Sequence, residues 1–280
     1  MHKQNLTFGI FPSLFVLSFV FQPLSTQALT LYNGTLSNRP SQQGQIGLGA
    51  LSSSGTPLTS GFVASSETVI TNGVRLVSNG SDGTNSAEYA GYSNYNPLTT
   101  SFLGSSSPII QSNQYSLSFT FALTATTSNS NDRAAFSVTA IGMGNMGIEI
   151  GWEDTLVFAQ NSSLTRGESG AVITNTKKTY VLTVNGGLYD LSESGTSLIS
   201  GSLRSYNFVP ALSSPPLTFN PYTTPGFLFF GDDTGQEFGT FEFFDANVQS
   251  IPFDFSPTGG LLMLGAIASA RHLYKKHKSK

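Results

Sequence analysis

The chain has 280 residues, of which 10% are charged, with 29 Gly, 22 Phe, three His and no Cys. Without Cys there is no disulfide scaffold, thiolate metal site, Cys nucleophile or lipobox for acylation. His2, His272 and His277 all lie in the end segments, so the middle has no imidazole for a catalytic triad or a zinc site. Residues 29–257 hold seven basic side chains against sixteen acidic ones, a net charge of −9, whereas residues 271–280 hold five basic residues and no acid. An acidic middle excludes the basic face that nucleic acid requires.

The N-terminus has the three parts of a secretory signal peptide. His2 and Lys3 form a small polar start, Phe8 to Phe21 is mostly apolar, and Thr26-Gln27-Ala28 places small residues at the −3 and −1 positions. Residues 1–28 are therefore expected to be removed, leaving Leu29 as the mature N-terminus.

Residues 29–250 are expected to form one all-β domain. Thr, Phe, Tyr and Val are plentiful and helix formers are scarce, a bias toward strands. Residues 40–110 are rich in Ser and Gly, yet Phe62, Val69, Ile70, Val74, Leu76 and Val77 supply apolar positions that a disordered linker lacks. Further on, Tyr115, Leu117, Phe119, Phe121 and Leu123 alternate with polar residues, a period of two that puts them on one face of a strand. Strand-like runs follow over 135–141, 147–152 and 155–159. Residues 180–184 and 188–191 flank Asn185-Gly186-Gly187, which reads as a hairpin. Runs over 197–203, 226–230 and 239–250 complete roughly ten to twelve strands, enough for a β-sandwich or jelly roll.

The C-terminus falls into three segments. Residues 251–257 contain the proline-bounded stretch Pro252-Phe253-Asp254-Phe255-Ser256-Pro257, residues 258–274 an apolar segment, and residues 275–280 a basic tail. Thr258 to Ala270 as a helix spans only ~20 Å of a ~30 Å hydrocarbon core, so Leu273 and Tyr274 are needed to complete it. The basic flank places the tail on the cytoplasmic side. The expected architecture is thus an exported sandwich held at the envelope by a short hydrophobic helix.

Acidic and aromatic residues offer two kinds of site. Asp232-Asp233-Thr234-Gly235, with Asp132 or with Glu237 and Glu242, could supply the oxygens that Ca²⁺ takes from flexible loops. The simpler reading is a turn whose Asp side chains bond their own backbone. Trp152, Tyr89, Tyr92, Tyr95 and Tyr222 are candidates for stacking on sugar rings, which needs an aromatic with an exposed face. Tyr89, Tyr92 and Tyr95 lie in a polar, loop-like stretch.

Two resemblances sharpen these expectations. The order of PFDFSP, the GGLLMLG segment and the basic cluster resembles the PEP-CTERM class of bacterial sorting signals, in a form common in cyanobacteria, although Pro-Glu-Pro itself is missing. It implies recognition by an exosortase-type processing enzyme. The segments LTLYNGTLSNRPSQQG, NDRAAFSVTAIGMGNMGIEIGWEDTLVFAQ and TPGFLFFGDDTGQEFGTFEFFDANV are similar to the choice-of-anchor domains of bacterial surface proteins, which resemble concanavalin-like lectin and glucanase sandwiches. This implies a jelly-roll fold at the cell surface and no particular activity. Glucanases of the laminarinase type carry Glu, Asp and Glu on one strand face, and Glu149-Ile150-Gly151-Trp152-Glu153 is similar, with Gly151 where the Asp belongs. In a regular strand Glu149 and Glu153 stand ~13 Å apart, against the ~5 Å of a retaining carboxylate pair.

The leading expectation is a non-catalytic envelope domain that adheres or binds extracellular polysaccharide. A glycoside hydrolase or lyase using Glu149 and Glu153 is the first alternative. A passive matrix component is the second.

Overall fold

The computed structural model describes residues 28–51, 59–60, 66–78, 88–128, 130–213, 217–234 and 236–251. Apart from Ala28 and Ile251, the expected signal peptide, sorting motif, anchor and basic tail lie outside the described residues. Eighteen strands are described, with one short helix. They are β1 (Leu29–Asn33), β2 (Ile46–Leu51), β3 (Thr59–Ser60), β4 (Ser66–Ile70), β5 (Gly73–Val77), β6 (Glu88–Ser93), β7 (Tyr95–Asn96) and β8 (Ser101–Phe102). After helix α1 (Ser106–Gln111) come β9 (Gln114–Ser128), β10 (Phe136–Ile141), β11 (Gly147–Trp152), β12 (Leu156–Gln160) and β13 (Arg166–Ala171). The chain ends with β14 (Lys178–Asn185), β15 (Leu188–Glu193), β16 (Thr196–Ser202), β17 (Leu228–Asp232) and β18 (Glu237–Ser250).

These strands form the expected jelly-roll sandwich of two antiparallel sheets. The first runs β16-β15-β14-β9-β18-β5-β4, with β1 also paired to β18. The second runs β13-β12-β11-β10-β17-β6-β2-β3. The alternation of β9 is borne out, since Tyr115, Leu117, Phe119, Phe121 and Leu123 are all buried between the sheets. From the second sheet, Ile148, Ile150 and Trp152 of β11 meet them. The Trp152 ring stands edge-on to Phe119 and Phe121 at 5.5 and 5.3 Å between centroids. Each such side chain contributes about 1.5–3 kcal/mol by leaving water. Among the turns, the Asn-Gly-Gly hairpin forms as expected: Asn185 pairs with Leu188 and Gly186 takes φ +66°, which glycine reaches without strain.

The middle of the second sheet is covered on both faces. Every residue of β10, β11 and β17 is buried, the pattern of strands with no solvated side. Residues 204–213 and 217–227 supply the outer cover. Tyr206, Phe208, Leu217, Phe219, Tyr222 and Phe227 pack with Tyr95, Ile141 and Phe229 into a second apolar cluster outside the sandwich core.

One local expectation needs correction. The stretch holding Tyr89, Tyr92 and Tyr95 is strand β6 followed by β7, with β6 flanked by β2 and β17, and Tyr92 turns into the sandwich core while Tyr95 joins the outer cluster. The short helix α1 has no signal in the periodicity, being under two turns long.

Candidate functional site

The chemistry-bearing residues collect on the outer face of the second sheet. Along β11, Ile148, Ile150 and Trp152 face the core, so Glu149 faces outward. Along β17, Leu228 and Phe230 face the core, so the alternation carries Phe229, Gly231 and then Asp233 outward. Strand β10 lies between them, with Thr139 opposite both Glu149 and Phe229. Two carboxyls separated by 84 positions in the chain thereby meet, and they are hydrogen-bonded to each other.

Their environment sets the protonation. Burial, then the neighbouring Asp233 charge, hold the Glu149 carboxyl protonated well above the usual carboxylate range. Burial also pushes Asp233 up to about 6, opposed by a hydrogen bond from Ser137 and by the Arg133 charge. The Tyr222 hydroxyl donates to Glu149 Oε2. Above about pH 6, where Asp233 is ionised, the neutral Glu149 carboxyl is placed to donate to it.

Tyr206 completes the site from the backbone side. The Glu149 N–H donates to the Tyr206 hydroxyl at 2.8 Å, and that hydroxyl donates to the Gln160 carbonyl at 3.3 Å. The β11–β12 register stops at Ile150 opposite Ala159, so the tyrosine oxygen stands in for the next ladder bond. Tyr206 and Tyr222 lie 4.7 Å apart between ring centroids, with Phe208 5.1 Å from Tyr222. Asn220 holds this segment in place by accepting the Tyr222 N–H at 3.0 Å and donating to the Phe208 carbonyl at 3.2 Å. Glu149 is 4% exposed, and both tyrosines are 7% exposed.

The Glu149–Glu153 pair that the hydrolase alternative requires does not form. A Cβ on Gly151 would lie 2.5 Å from the Ala134 Cβ and 3.2 Å from the Phe158 ring, so those two side chains fill the space between the glutamates. Glu153 instead pairs with Arg166, whose guanidinium lies over the Phe158 ring at 4.6 Å. Burial raises its carboxyl, and Arg166 partly offsets that.

The stacking candidates are also placed elsewhere than expected. Trp152 and Tyr92 have no exposed surface, because both belong to the sandwich core. The Tyr92 hydroxyl donates to Glu67 at 2.7 Å. Tyr95 and Tyr222 are buried in the outer cluster. Tyr89 lies on β6, and its side chain is outside the description.

The Ca²⁺ candidates are dispersed. Asp232 accepts the Thr234 N–H at 3.0 Å, the self-bonded turn that was the simpler reading. Asp132 accepts the Arg166 N–H at 2.9 Å, Glu237 accepts the Ser130 N–H at 2.8 Å, and Glu242 pairs with Arg75. Among the described residues no three His, Cys, Asp or Glu side chains gather in a way that could hold a metal ion.

Sequence reading therefore singled out both Glu149 and Asp233 but assigned them to different sites, and missed Ser137, Arg133 and Tyr206. The alternation of Leu228-Phe229-Phe230-Gly231-Asp232-Asp233 carried a signal, since it turns Asp233 to the face opposite Phe230. The strand order that brings Asp233 beside β11 had no local signature.

No family model and no curated protein matches the chain. Solved structures similar to it include a carbohydrate esterase from Shiga toxin-encoding bacteriophage phi24B, at 11% identity, 81% of this chain, 100% of that chain and a TM-score of 0.48. An endo-acting O-glycanase of the human gut microbiota matches at 9% identity over 80% of this chain and 100% of that chain, with a TM-score of 0.45. An alginate lyase from Corynebacterium sp. matches at 12% identity over 75% of this chain and 97% of that chain, with a TM-score of 0.43. These are β-sandwich proteins named for work on carbohydrate, and the likeness reaches no further than the sandwich.

Proposed function

We propose that this protein is an exported, envelope-anchored β-sandwich that does no chemistry on its partner and serves at the cell surface as a binding or adhesive domain, with extracellular polysaccharide as the partner class. One observation carries the non-catalytic reading: Glu149 lies beneath Tyr206 and Tyr222 and is only 4% exposed, with its partner Asp233 half-buried beside it. An acid/base pair must come within hydrogen-bond reach of its substrate, and this cover shields Glu149 from one although Asp233 is half-buried. The three hydrogen bonds among Glu149, Asp233, Tyr222 and Tyr206 fit a satisfied internal network that pins Tyr206 and Tyr222 to the sheet. The address rests on the N-terminal leader, the apolar segment at 258–274 and the basic tail, all read from the sequence.

A panel of polysaccharides tests the reading in two ways, by retention on the immobilised glycan and by release of reducing ends or unsaturated products. The parent and Glu149→Gln should be retained on the same glycans, and neither should turn any of them over. Turnover by the parent that either Glu149→Gln or Asp233→Asn abolishes would make the protein an enzyme. N-terminal sequencing of envelope material should begin at Leu29, and recovery of an intact chain from the cytosol would remove the address.

A further inference from the structure

We propose that one end of the sandwich rests on the bilayer that holds the C-terminal apolar segment, with Met143 and Leu188 inserted at its surface. The inference rests on the membrane-anchored reading above and adds an orientation and a contact to it.

The chain ends fix which end of the sandwich is concerned. Strand β18 finishes with Ser250 opposite Tyr115, and the Ile251 N–H donates to the Gln114 carbonyl at 3.0 Å. Strand β1 starts with Leu29 opposite Val248. Both termini of the domain therefore leave from the end where β9 begins. Between Ile251 and the apolar segment starting at Thr258 there are six residues, two of them proline. Fully extended they reach ~20 Å. A domain on so short a leash cannot turn its other end to the membrane.

Two hairpin tips project at this same end. The tip joining β10 to β11 and the tip joining β14 to β15 both meet Asn113, the residue before β9. The Asn113 carbonyl accepts the Gly186 N–H at 2.9 Å, and a Cβ on Gly142 would run into the Asn113 side chain. Met143 is 66% exposed on the first tip and Leu188 is 62% exposed on the second. Residues 142–146, 185–188, 112–114 and 250–251 hold no charged side chain, in a domain (residues 29–250) whose net charge is −8. Arg204, bridged to Gly147, is paired with Glu168. Charge stands at the opposite end, where Lys178 pairs with Glu193 and Arg166 with Glu153. The tips carry no charge of their own, and the one acid beside them, Glu168 at Gly201, is paired with Arg204, so exposed apolar side chains at this end can approach an anionic membrane surface and gain from leaving water.

The chain lacks Cys, which allows single-site labelling of the full-length protein. Met143→Cys, Leu188→Cys and, at the far end, Thr155→Cys would each carry an environment-sensitive fluorophore. Each is reconstituted into phosphatidylethanolamine–phosphatidylglycerol vesicles and floated. Lipid-borne nitroxide should quench the labels at 143 and 188 several-fold more than the label at 155, with a blue shift only at the two tips. Flotation with equal quenching at all three sites would overturn the orientation and leave the anchor intact. Failure to float would overturn the anchored reading and this inference with it.

Discussion

Glu149 and Asp233 meet on the outer face of the second sheet, although Glu149 stands on β11 and Asp233 just past the end of β17, strands that do not touch each other. Strand β10 lies between their strands, and Tyr222 donates to the far oxygen of Glu149. Both carboxyls bind their proton more tightly in the folded chain than in the unfolded one, because burial disfavours charge. The stability they contribute is complete below the unfolded carboxylate range. It is lost as pH rises, first through about 6 for Asp233.

Glu149→Gln tests that relationship. The amide can donate to Asp233 and accept from Tyr222, as the protonated acid does, but it cannot ionise. Thermal unfolding followed from about pH 5 to about pH 8 should fall for the parent and be flatter for the variant, which should be the more stable by on the order of 1–2 kcal/mol at the alkaline end. Parallel curves for the two proteins would mean that the fold does not hold Glu149 protonated.

Tyr206→Phe removes the hydroxyl that stands between the Glu149 N–H and the Gln160 carbonyl. Two buried backbone groups then lose their partner, at a cost of about 1–3 kcal/mol. Denaturant unfolding should show that loss with little change in slope. A neutral substitution would show that water reaches the gap.

Gly151→Asp restores the residue that a glucanase-type strand would carry. It should destabilise the fold by about 1–3 kcal/mol, because the new Cβ meets Ala134 at 2.5 Å. A stable variant that gains hydrolytic activity would show that the strand can be opened to substrate.

Trp152 is the single tryptophan and has no exposed surface. Its emission in the native protein should lie well to the blue of tryptophan in water, resist acrylamide, and stay unchanged when any glycan binds. Quenching by acrylamide in the folded state, or a ligand-dependent shift, would return Trp152 to the binding surface.

The fold was legible where one face of a strand decided the residues. The alternation from Tyr115 to Leu123 and the Asn185-Gly186-Gly187 turn are local signals, and both formed as read. The site was legible only in its parts. Glu149 stood out in a glucanase-like segment and Asp233 in an acidic turn, but their meeting depends on β17 lying beside β10, a pairing across about 90 positions that no local pattern encodes. Trp152 misled for a related reason. An aromatic beside two glutamates reads as an exposed platform until the period of two is applied from Ile148 through Ile150, which sends the ring into the core. Residues 204–227 carry no strand rhythm, so nothing in them announced that Tyr206 and Tyr222 would close the outer face.

The closed outer face is the claim on which the non-catalytic reading stands, and amide hydrogen exchange at Glu149 measures it directly. That N–H donates to Tyr206 under the covering segment. If the cover is a fixed part of the fold, the amide exchanges only through global unfolding, as slowly as the core of β9. Exchange orders of magnitude faster, shared with Tyr206 and Tyr222 while β9 stays protected, would show residues 204–227 lifting as a unit and would expose the carboxyl pair to substrate.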